Sequence, residues 1–278
     1  MRIELRHAHH PEDLKNYDTA RIRKEFLIET LFVPGEICLT YSLYDRYIVG
    51  GAMPTDSPLQ LESFDALKAS GFLDRREMGI INIGGPALIV AGGKQHNLND
   101  KEALYLGKGI QGISFASKDR DNPARLYINA AMAHHSYPAK KVTLQEAEIA
   151  IMGSPEASNQ RTINKLLINS VVETCGLQMG MTTLHPGSVW NTMPPHTHSR
   201  RMEAYFYFGV PAGQAICHFM GEPAETRHIW MKNEQAVISP PWSIHSAAGT
   251  ASYSFIWGMT GENLDYGDMD VCPPDSLL

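Results

Sequence analysis

Met193-Pro-Pro-His-Thr-His-Ser-Arg-Arg-Met-Glu-Ala-Tyr-Phe-Tyr-Phe-Gly209 is the stretch on which the reading of this chain turns. His196 and His198 stand one residue apart, and in extended backbone residues two apart face the same side, so both imidazoles can address one point. Glu203 is at an odd offset from both and must enter from a new register after a turn at Ser199-Arg200-Arg201. The strand that follows puts Glu203, Tyr205 and Tyr207 on one face and Ala204, Phe206 and Phe208 on the other, with the tyrosine face expected inward. Further on, Pro240-Pro-Trp-Ser-Ile-His245 brings a third histidine to the start of another strand. Three imidazoles and one carboxylate suit a first-row metal and leave positions open for water or substrate. A His-x-His pair alone is as well explained by surface histidines on a proline-rich loop. The downstream acid and His245 turn the reading toward a metal site formed by His196, His198, Glu203 and His245.

Outward from that stretch the texture is that of a β protein. Glu36-Ile-Cys-Leu-Thr-Tyr-Ser-Leu43 and Arg46-Tyr-Ile-Val-Gly50 are short runs rich in branched and aromatic residues. Gly50-Gly51, Gly84-Gly85 and Gly92-Gly93 punctuate them, and Gly79-Ile-Ile-Asn-Ile83 with Ala87-Leu-Ile-Val-Ala91 reads as a hairpin. Leu59 to Gly71 predicts a short helix ended by its glycine, and Thr143 with Glu146 forms a capping box that predicts another. At the N-terminus, Pro11-Glu12-Asp13 opens one helical turn and Asp18 caps a segment running to Phe26, a short helical extension.

An internal echo organises the rest. Glu102-Ala-Leu-Tyr-Leu-Gly107 resembles Glu203-Ala-Tyr-Phe-Tyr-Phe-Gly209, and Asn122-Pro-Ala-Arg125 resembles Glu222-Pro-Ala-Glu-Thr-Arg227. Two related β units are expected. Residues 1–152 form the extension and the first unit, and 153–278 form the second, divided at Gly153-Ser-Pro-Glu-Ala-Ser-Asn-Gln160. The first lacks the ligand pair: His96 is followed by Asn97 and Leu98, and the adjacent His134-His135 would face opposite ways on a strand.

Composition narrows the function. The chain has 278 residues, 43% of them hydrophobic, enough for a real core without staples. A net charge of -6 with mixed signs provides no basic stripe for nucleic acid. No apolar run is long enough to cross a bilayer and the first ten residues hold no apolar leader, so a soluble cytoplasmic protein is expected. Cys38, Cys175, Cys217 and Cys272 are widely spaced and read as reduced thiols.

The ligand residues resemble the two motifs of the cupin superfamily, with Trp242 where the second motif has glycine, a long interval from Gly187 to His196, and Glu203 to Gly209 one residue short. More closely, the chain is similar throughout to the 5-keto-4-deoxyuronate isomerase family of bacterial pectin breakdown. Arg23-Lys-Glu-Phe-Leu27, Arg75-Arg-Glu-Met-Gly79, Arg161-Thr-Ile-Asn-Lys165, Asn233-Glu-Gln-Ala-Val-Ile-Ser239 and Phe255-Ile-Trp-Gly-Met259 carry that resemblance. It implies a mainly β chain of two cupin-like jelly-roll barrels and one Zn2+ per chain on His196, His198, Glu203 and His245. It also implies a homohexamer and conversion of 5-dehydro-4-deoxy-D-glucuronate to 3-deoxy-D-glycero-2,5-hexodiulosonate.

An aldose–ketose shift needs an electrophile and a proton carrier. Tyr205, Tyr207, His218 and Glu222, with Glu225 and His228, are candidates for the second, although packing or a satisfied buried histidine explains each as well. The substrate carboxylate calls for a cation: Arg200, Arg201, Arg227 and Lys165 are candidates, with Arg161 a further choice. Trp242 and Trp257 could wall a pocket. Two other functions fit the same residues, an iron-dependent cupin oxygenase and a non-catalytic sugar-binding cupin.

Overall fold

The alternating, branched strands pair into two copies of one design. The computed structural model describes residues 1–262 and 266–278. In the first copy a seven-stranded sheet runs, in spatial order, Arg2–Arg6, Glu36–Ser42, Ile48–Met53, Leu126–Met132, Arg76–Asn82, Ala103–Leu106 and Lys140–Val142. A four-stranded sheet, Leu59–Leu61, Ile113–Ser117, Ala87–Ala91 and Lys94–Leu98, closes it. Leu61, Ile89, Leu98 and Phe115 from the small sheet meet Ile80, Leu104 and Ile128 from the large one in a single core. Burying each such side chain contributes about 1.5–3 kcal/mol, which is what holds two sheets face to face.

The second copy repeats the order with Glu148–Met152, Arg161–Leu167, Gln178–Leu184, Ser254–Gly261, Arg201–Phe208, Gln235–Ser239 and Leu27–Ile28. Its small sheet is Trp190–Asn191, Ser246–Gly249, Ile216–Glu222 and Glu225–Met231. The chain is therefore mainly β, with two cupin-like barrels and few helices. By compactness the first unit comprises Met1–Arg6, Thr30–Glu148 and Leu166–Met179, and the second His7–Glu29, Ile149–Lys165 and Gly180–Leu278. The helical extension thus belongs to the second unit although it precedes the first.

Its helices are Pro11–Leu14 and Thr19–Phe26, the latter capped by Asp18, whose side chain accepts from Arg21 N–H at 2.8 Å. Phe26 meets Trp242 edge to face, and Leu27–Ile28 adds an edge strand opposite Val237 and Ala236.

Three local expectations are revised. Gly79–Ile83 and Ala87–Ala91 lie in different sheets; the hairpin joins Ala87–Ala91 to Lys94–Leu98 across Gly92 and Gly93, whose φ of 57° and 75° suit a tight primed turn. Leu59–Gly71 holds a short strand and one 3-10 turn, Asp65–Leu67, in place of a helix. The Thr143–Glu146 box forms, with both Thr143 N–H and Oγ1–H donating to Glu146 at 2.8 Å, yet the backbone turns once and enters the strand at Glu148. A cap satisfies donors at a helix start but cannot supply the amphipathic face that stabilises a helix.

The sequence echo has a different register from the structural one. Arg201–Phe208 occupies the place in its sheet that Arg76–Asn82 occupies in the first, whereas Ala103–Leu106 corresponds to Gln235–Ser239. The true repeat is Arg75-Arg-Glu-Met78 against Arg200-Arg-Met-Glu203. Arg76 and Arg201 each open the strand, and two residues on, Met78 points into the first core where Glu203 points into the second site. Leu73, three residues before Arg76, stands where His198 precedes Arg201, and it is buried.

On the opposite face of Arg76–Asn82, Glu77 is fully buried. It accepts from Cys175 N–H at 2.8 Å, Gly176 N–H at 2.8 Å, Leu177 N–H at 2.7 Å and Tyr105 O–H at 2.7 Å. Burial first, then the neighbouring carboxylate, pushes the Tyr105 phenol far above its ordinary pKa, so it remains a donor.

Candidate metal centre

His196 enters on a two-residue strand, His196–Thr197, pinned opposite Val271 and Asp270, and the backbone brings His198 to the same side. Glu203 comes from the middle of the large sheet, with Met259 and Ser239 as its neighbours across the strands. His245 arrives just before Ser246–Gly249 of the small sheet. All four side chains are buried, and one ligand atom from each lies within 4.8 Å of all the others. The sequence therefore identified a cluster that the fold brings together.

The atoms converge in the manner of a ligand set. Nε2 of His245 and Nε2 of His196 are 2.9 Å apart; Glu203 Oε1 lies 2.8 Å from His198 Nε2 and Oε2 3.6 Å from His245 Nε2. Bonds of about 2.0–2.2 Å to a common ion place ligand atoms at such separations. His198 Nε2 is buried without a hydrogen bond of acceptable geometry, despite its short distance to Glu203. A metal ion held by His198 and Glu203 would satisfy both atoms.

The far ring nitrogens are oriented for this. His198 Nδ1 is 2.8 Å from the Asp268 carbonyl and His245 Nδ1 is 3.2 Å from Ser239 Oγ. Arg201 Nε also approaches His198 Nδ1, at 3.2 Å. The tautomer in which Nδ1 donates to the Asp268 carbonyl or to Ser239 Oγ is the one that keeps Nε2 free to ligate. Burial pushes His196 down to about 2 and His245 to about 4, so both are neutral and able to ligate at neutral pH. For Glu203 burial acts upward, but His245 and His198 outweigh it and hold the carboxyl well below its usual range. Removing the Ser239 hydroxyl releases the His245 ring: Ser239→Ala is expected to weaken metal affinity by about tenfold, read by competition with a chromophoric chelator. Unchanged affinity would show that the hydroxyl plays no part in orienting His245.

The cluster opens on a cavity of about 460 Å³. Arg161, Lys165 and Arg201 supply cations to its wall, Tyr205 a hydroxyl, and Phe255, Trp257 and Met259 an apolar side. Gly180 leaves room for Trp257, since a Cβ there would stand 2.1 Å from Cζ2 of the indole. The Tyr205 hydroxyl is 3.3 Å from Thr192 Oγ1, and its ring is edge-on to His245 with centroids 5.3 Å apart.

The other sequence candidates fall elsewhere. Tyr207 shares the inward face, but its hydroxyl bonds His218 Nδ1 at 2.8 Å in the interior, and neither lines the cavity. Burial pushes His218 down to about 3, the condition of a neutral core histidine. Glu222 lies at the far end of its hairpin opposite Glu225, outside the cavity. Arg200 is exposed and does not line it either. Arg227 is engaged with Glu225 at 2.7 Å and with the Thr226 and Lys15 carbonyls. Arg201 does reach the wall, but its Nη2 donates to the Asp268 carbonyl at 2.9 Å and the Tyr266 carbonyl at 3.2 Å, bracing the same carbonyl that orients His198. Lys165 is in place, its ammonium 4.6 Å from the centre of the Tyr266 ring. Ser239, Thr192 and the Asp268 carbonyl went unrecognised in the sequence, because nothing local distinguishes a serine or a backbone oxygen that packs against a ligand from one that does not.

A sequence model of the KduI/IolB family matches residues 38–271. The chain is 63% identical over 267 residues to 4-deoxy-L-threo-5-hexosulose-uronate ketol-isomerase 1 of Bacteroides thetaiotaomicron, covering 96% of this chain and 95% of that one. It is 50% identical over 275 residues to the ketol-isomerase of Halalkalibacterium halodurans, covering 99% and 100%. Among solved structures it is similar to an IolB-like protein of Salmonella typhimurium, with a TM-score of 0.65, 14% identity and 81% and 86% of the two chains covered. It is also similar to Lactobacillus farciminis oxalate decarboxylase, with a TM-score of 0.57, 10% identity and 81% and 79% covered. At those identities the structures speak for the fold alone.

Proposed function

The chain belongs to the KduI/IolB family, and from that premise we propose a zinc-dependent ketol-isomerase that converts 5-dehydro-4-deoxy-D-glucuronate to 3-deoxy-D-glycero-2,5-hexodiulosonate in uronate and pectin breakdown. It is an enzyme of the intramolecular oxidoreductase class, as its full-length relatives are ketol-isomerases. The observation that carries the substrate reading is the buried three-histidine, one-glutamate cluster at the base of a cavity to which, among the described residues, Arg161, Lys165 and Arg201 add cationic charge and no further carboxylate is added. Such a cavity suits a six-carbon keto acid.

Substrate and product are isomers. One proton leaves the hydroxyl-bearing carbon and another is delivered to the former aldehyde carbon, while a hydroxyl proton passes between the neighbouring oxygens, so no external oxidant takes part. A divalent ion on His196, His198, Glu203 and His245 would supply Lewis-acid polarisation of the carbonyl oxygen. Lys165 and Arg161 hold the carboxylate and fix which carbons face the cluster. Arg161 is itself held by donation from Nη1 to the Asn159 carbonyl at 2.9 Å. Tyr205 lines the same cavity as His196 and Glu203, which supports a role for its hydroxyl as a hydrogen-bond partner of an oxygen of the reacting pair, and Phe255, Trp257 and Met259 give the cavity an apolar side. A cytoplasmic homohexamer is the setting the family resemblance implies. Exposed Ile149, Ile151 and Met152 on the edge strand Glu148–Met152 support self-association.

The deciding experiment incubates the metal-loaded protein with the unsaturated uronate released by pectin or alginate lyases and follows the product by NMR. Conversion of aldehyde to ketose without oxygen uptake is expected; oxygen consumption by an iron-loaded form without isomerisation by the zinc form would overturn the proposal. Lys165→Met is expected to raise KM by about 10–100-fold with a smaller change in kcat, the mark of a lost ground-state anchor, while Arg200→Met and Arg227→Met stay near wild type. An unchanged KM for Lys165→Met would remove that residue from the site.

A further inference from the structure

The first unit keeps a cavity where its partner unit keeps the metal centre. Arg76 opens the central strand as Arg201 does, and each lines the cavity of its own barrel. The strand Glu36–Ser42 contributes Tyr41 to the first cavity just as its counterpart Arg161–Leu167 contributes Arg161 and Lys165 to the second. With Met78 in the glutamate's place and Leu73 in that of His198, this cavity has no metal ligands, and its volume is about 250 Å³.

What remains is positive. Arg76 is only 4% exposed, its guanidinium 5.1 Å from the centre of the Tyr41 ring and its Nη1 donating to the Arg46 carbonyl at 2.6 Å. Arg46 and Arg75 stand at the rim, and Lys68, itself paired with Asp65, completes the charged lining; among the described residues no carboxylate lines the cavity. Among the described residues none of the three arginines pairs with an acid. A buried guanidinium without a counter-charge is costly, and a second arginine beside it adds repulsion. Burial accordingly lowers the Arg76 pKa from its ordinary value, and Arg46 contributes to that lowering. The turn that delivers Arg46 holds Asp45 and Arg46 at φ of 45° and 51°, a backbone that favours glycine or asparagine.

We propose that the cavity bounded by Arg76, Arg46, Arg75 and Tyr41 in the first unit is a binding site for a small oxyanion, the phosphate of a free ion or of a small phosphate ester. The volume lies below that of ordinary metabolite pockets, so the cavity takes the anionic group itself, with any organic remainder projecting past the exposed rim arginines. Leu67, Phe72 and Met132 supply the apolar part of the lining, and Arg76 is the buried cation at its base.

The test uses the full-length, zinc-loaded protein, titrated with inorganic phosphate against chloride at equal ionic strength and followed by calorimetry and 31P NMR. Saturable binding of one phosphate per chain is expected. Arg46→Met and Arg75→Met are each expected to weaken it by at least about fivefold, with isomerase turnover unchanged. These rim positions are chosen because Arg76→Met risks misfolding. Glycerol phosphate and glucose 6-phosphate distinguish the sources: tighter binding than inorganic phosphate assigns an ester, weaker binding the free ion. Absence of saturable binding overturns the proposal. So does binding that survives the Arg46→Met/Arg75→Met double variant but is lost in Lys165→Met, because phosphate would then occupy the second unit's cavity.

Discussion

Glu203→Ala is expected to strip the metal from the second unit and to lower isomerase turnover by about 10³-fold or more. Glu203 is the one anionic member of the cluster, set against His198 Nε2 and His245 Nε2 at 2.8 and 3.6 Å. Without it the three imidazoles alone would face a dication in a buried site, and the charge that offsets desolvation of the ion is gone. Metal content by elemental analysis after dialysis, measured beside turnover on the unsaturated uronate, checks both halves. Glu203→Gln separates charge from shape: it keeps the side chain's volume and one oxygen, so intermediate metal retention with strongly reduced turnover is expected. An alanine variant that retains one metal per chain and full activity would refute the assignment of Glu203 as a ligand. Loss of metal with turnover intact would make the ion structural and sink the catalytic reading.

Glu77→Ala is expected to destabilise the first unit by about 3–5 kcal/mol. The substitution removes one acceptor that serves three consecutive backbone N–H groups, those of Cys175, Gly176 and Leu177, together with the Tyr105 hydroxyl. Those donors are left facing a void that water reaches poorly, and each orphaned buried donor costs on the order of 1–3 kcal/mol. Denaturant unfolding, monitored so that the two units' transitions can be separated, provides the measurement. Glu77→Gln keeps an acceptor and should lose less, although its amide presents N–H groups where only acceptors fit. A midpoint for Glu77→Ala within experimental error of wild type would mean the loop carrying Cys175–Leu177 finds other partners, and that the buried carboxylate is dispensable.

Glu77 also shows where sequence reading fails. Arg75-Arg-Glu-Met78 is a plain charged run in the sequence, and its place in the fold is what makes Arg76 and Met78 inward and Glu77 a buried strut. The better-matching hexapeptides around Glu102 and Glu203 suggested a register that the sheets do not follow. Short apolar strands resemble one another because each must be branched and alternating to fit a half-buried sheet, so likeness between two of them carries little information about equivalence.

The candidate ligand cluster was legible for a chemical reason. Few functions call for a histidine pair at strand spacing, an acid and a further histidine, and the alternation of the strand from Arg201 to Phe208 already placed Glu203 and Tyr205 on one face. The mainly β character and the capped helices near the N-terminus followed from periodicity and punctuation, which are properties of neighbouring residues, whereas the doubling was read from an echo whose register the sheets do not follow. What only the tertiary structure decided is the set of long-range partners. It gave the N-terminal helices to the second unit, singled out Lys165, Arg161 and Arg201 among the cations as cavity-lining, and withdrew Tyr207 and His218 into a core pair. Residues more than a hundred positions apart meet through the ordering of strands in a sheet. That order is set by the summed burial of whole faces, a quantity no local stretch contains.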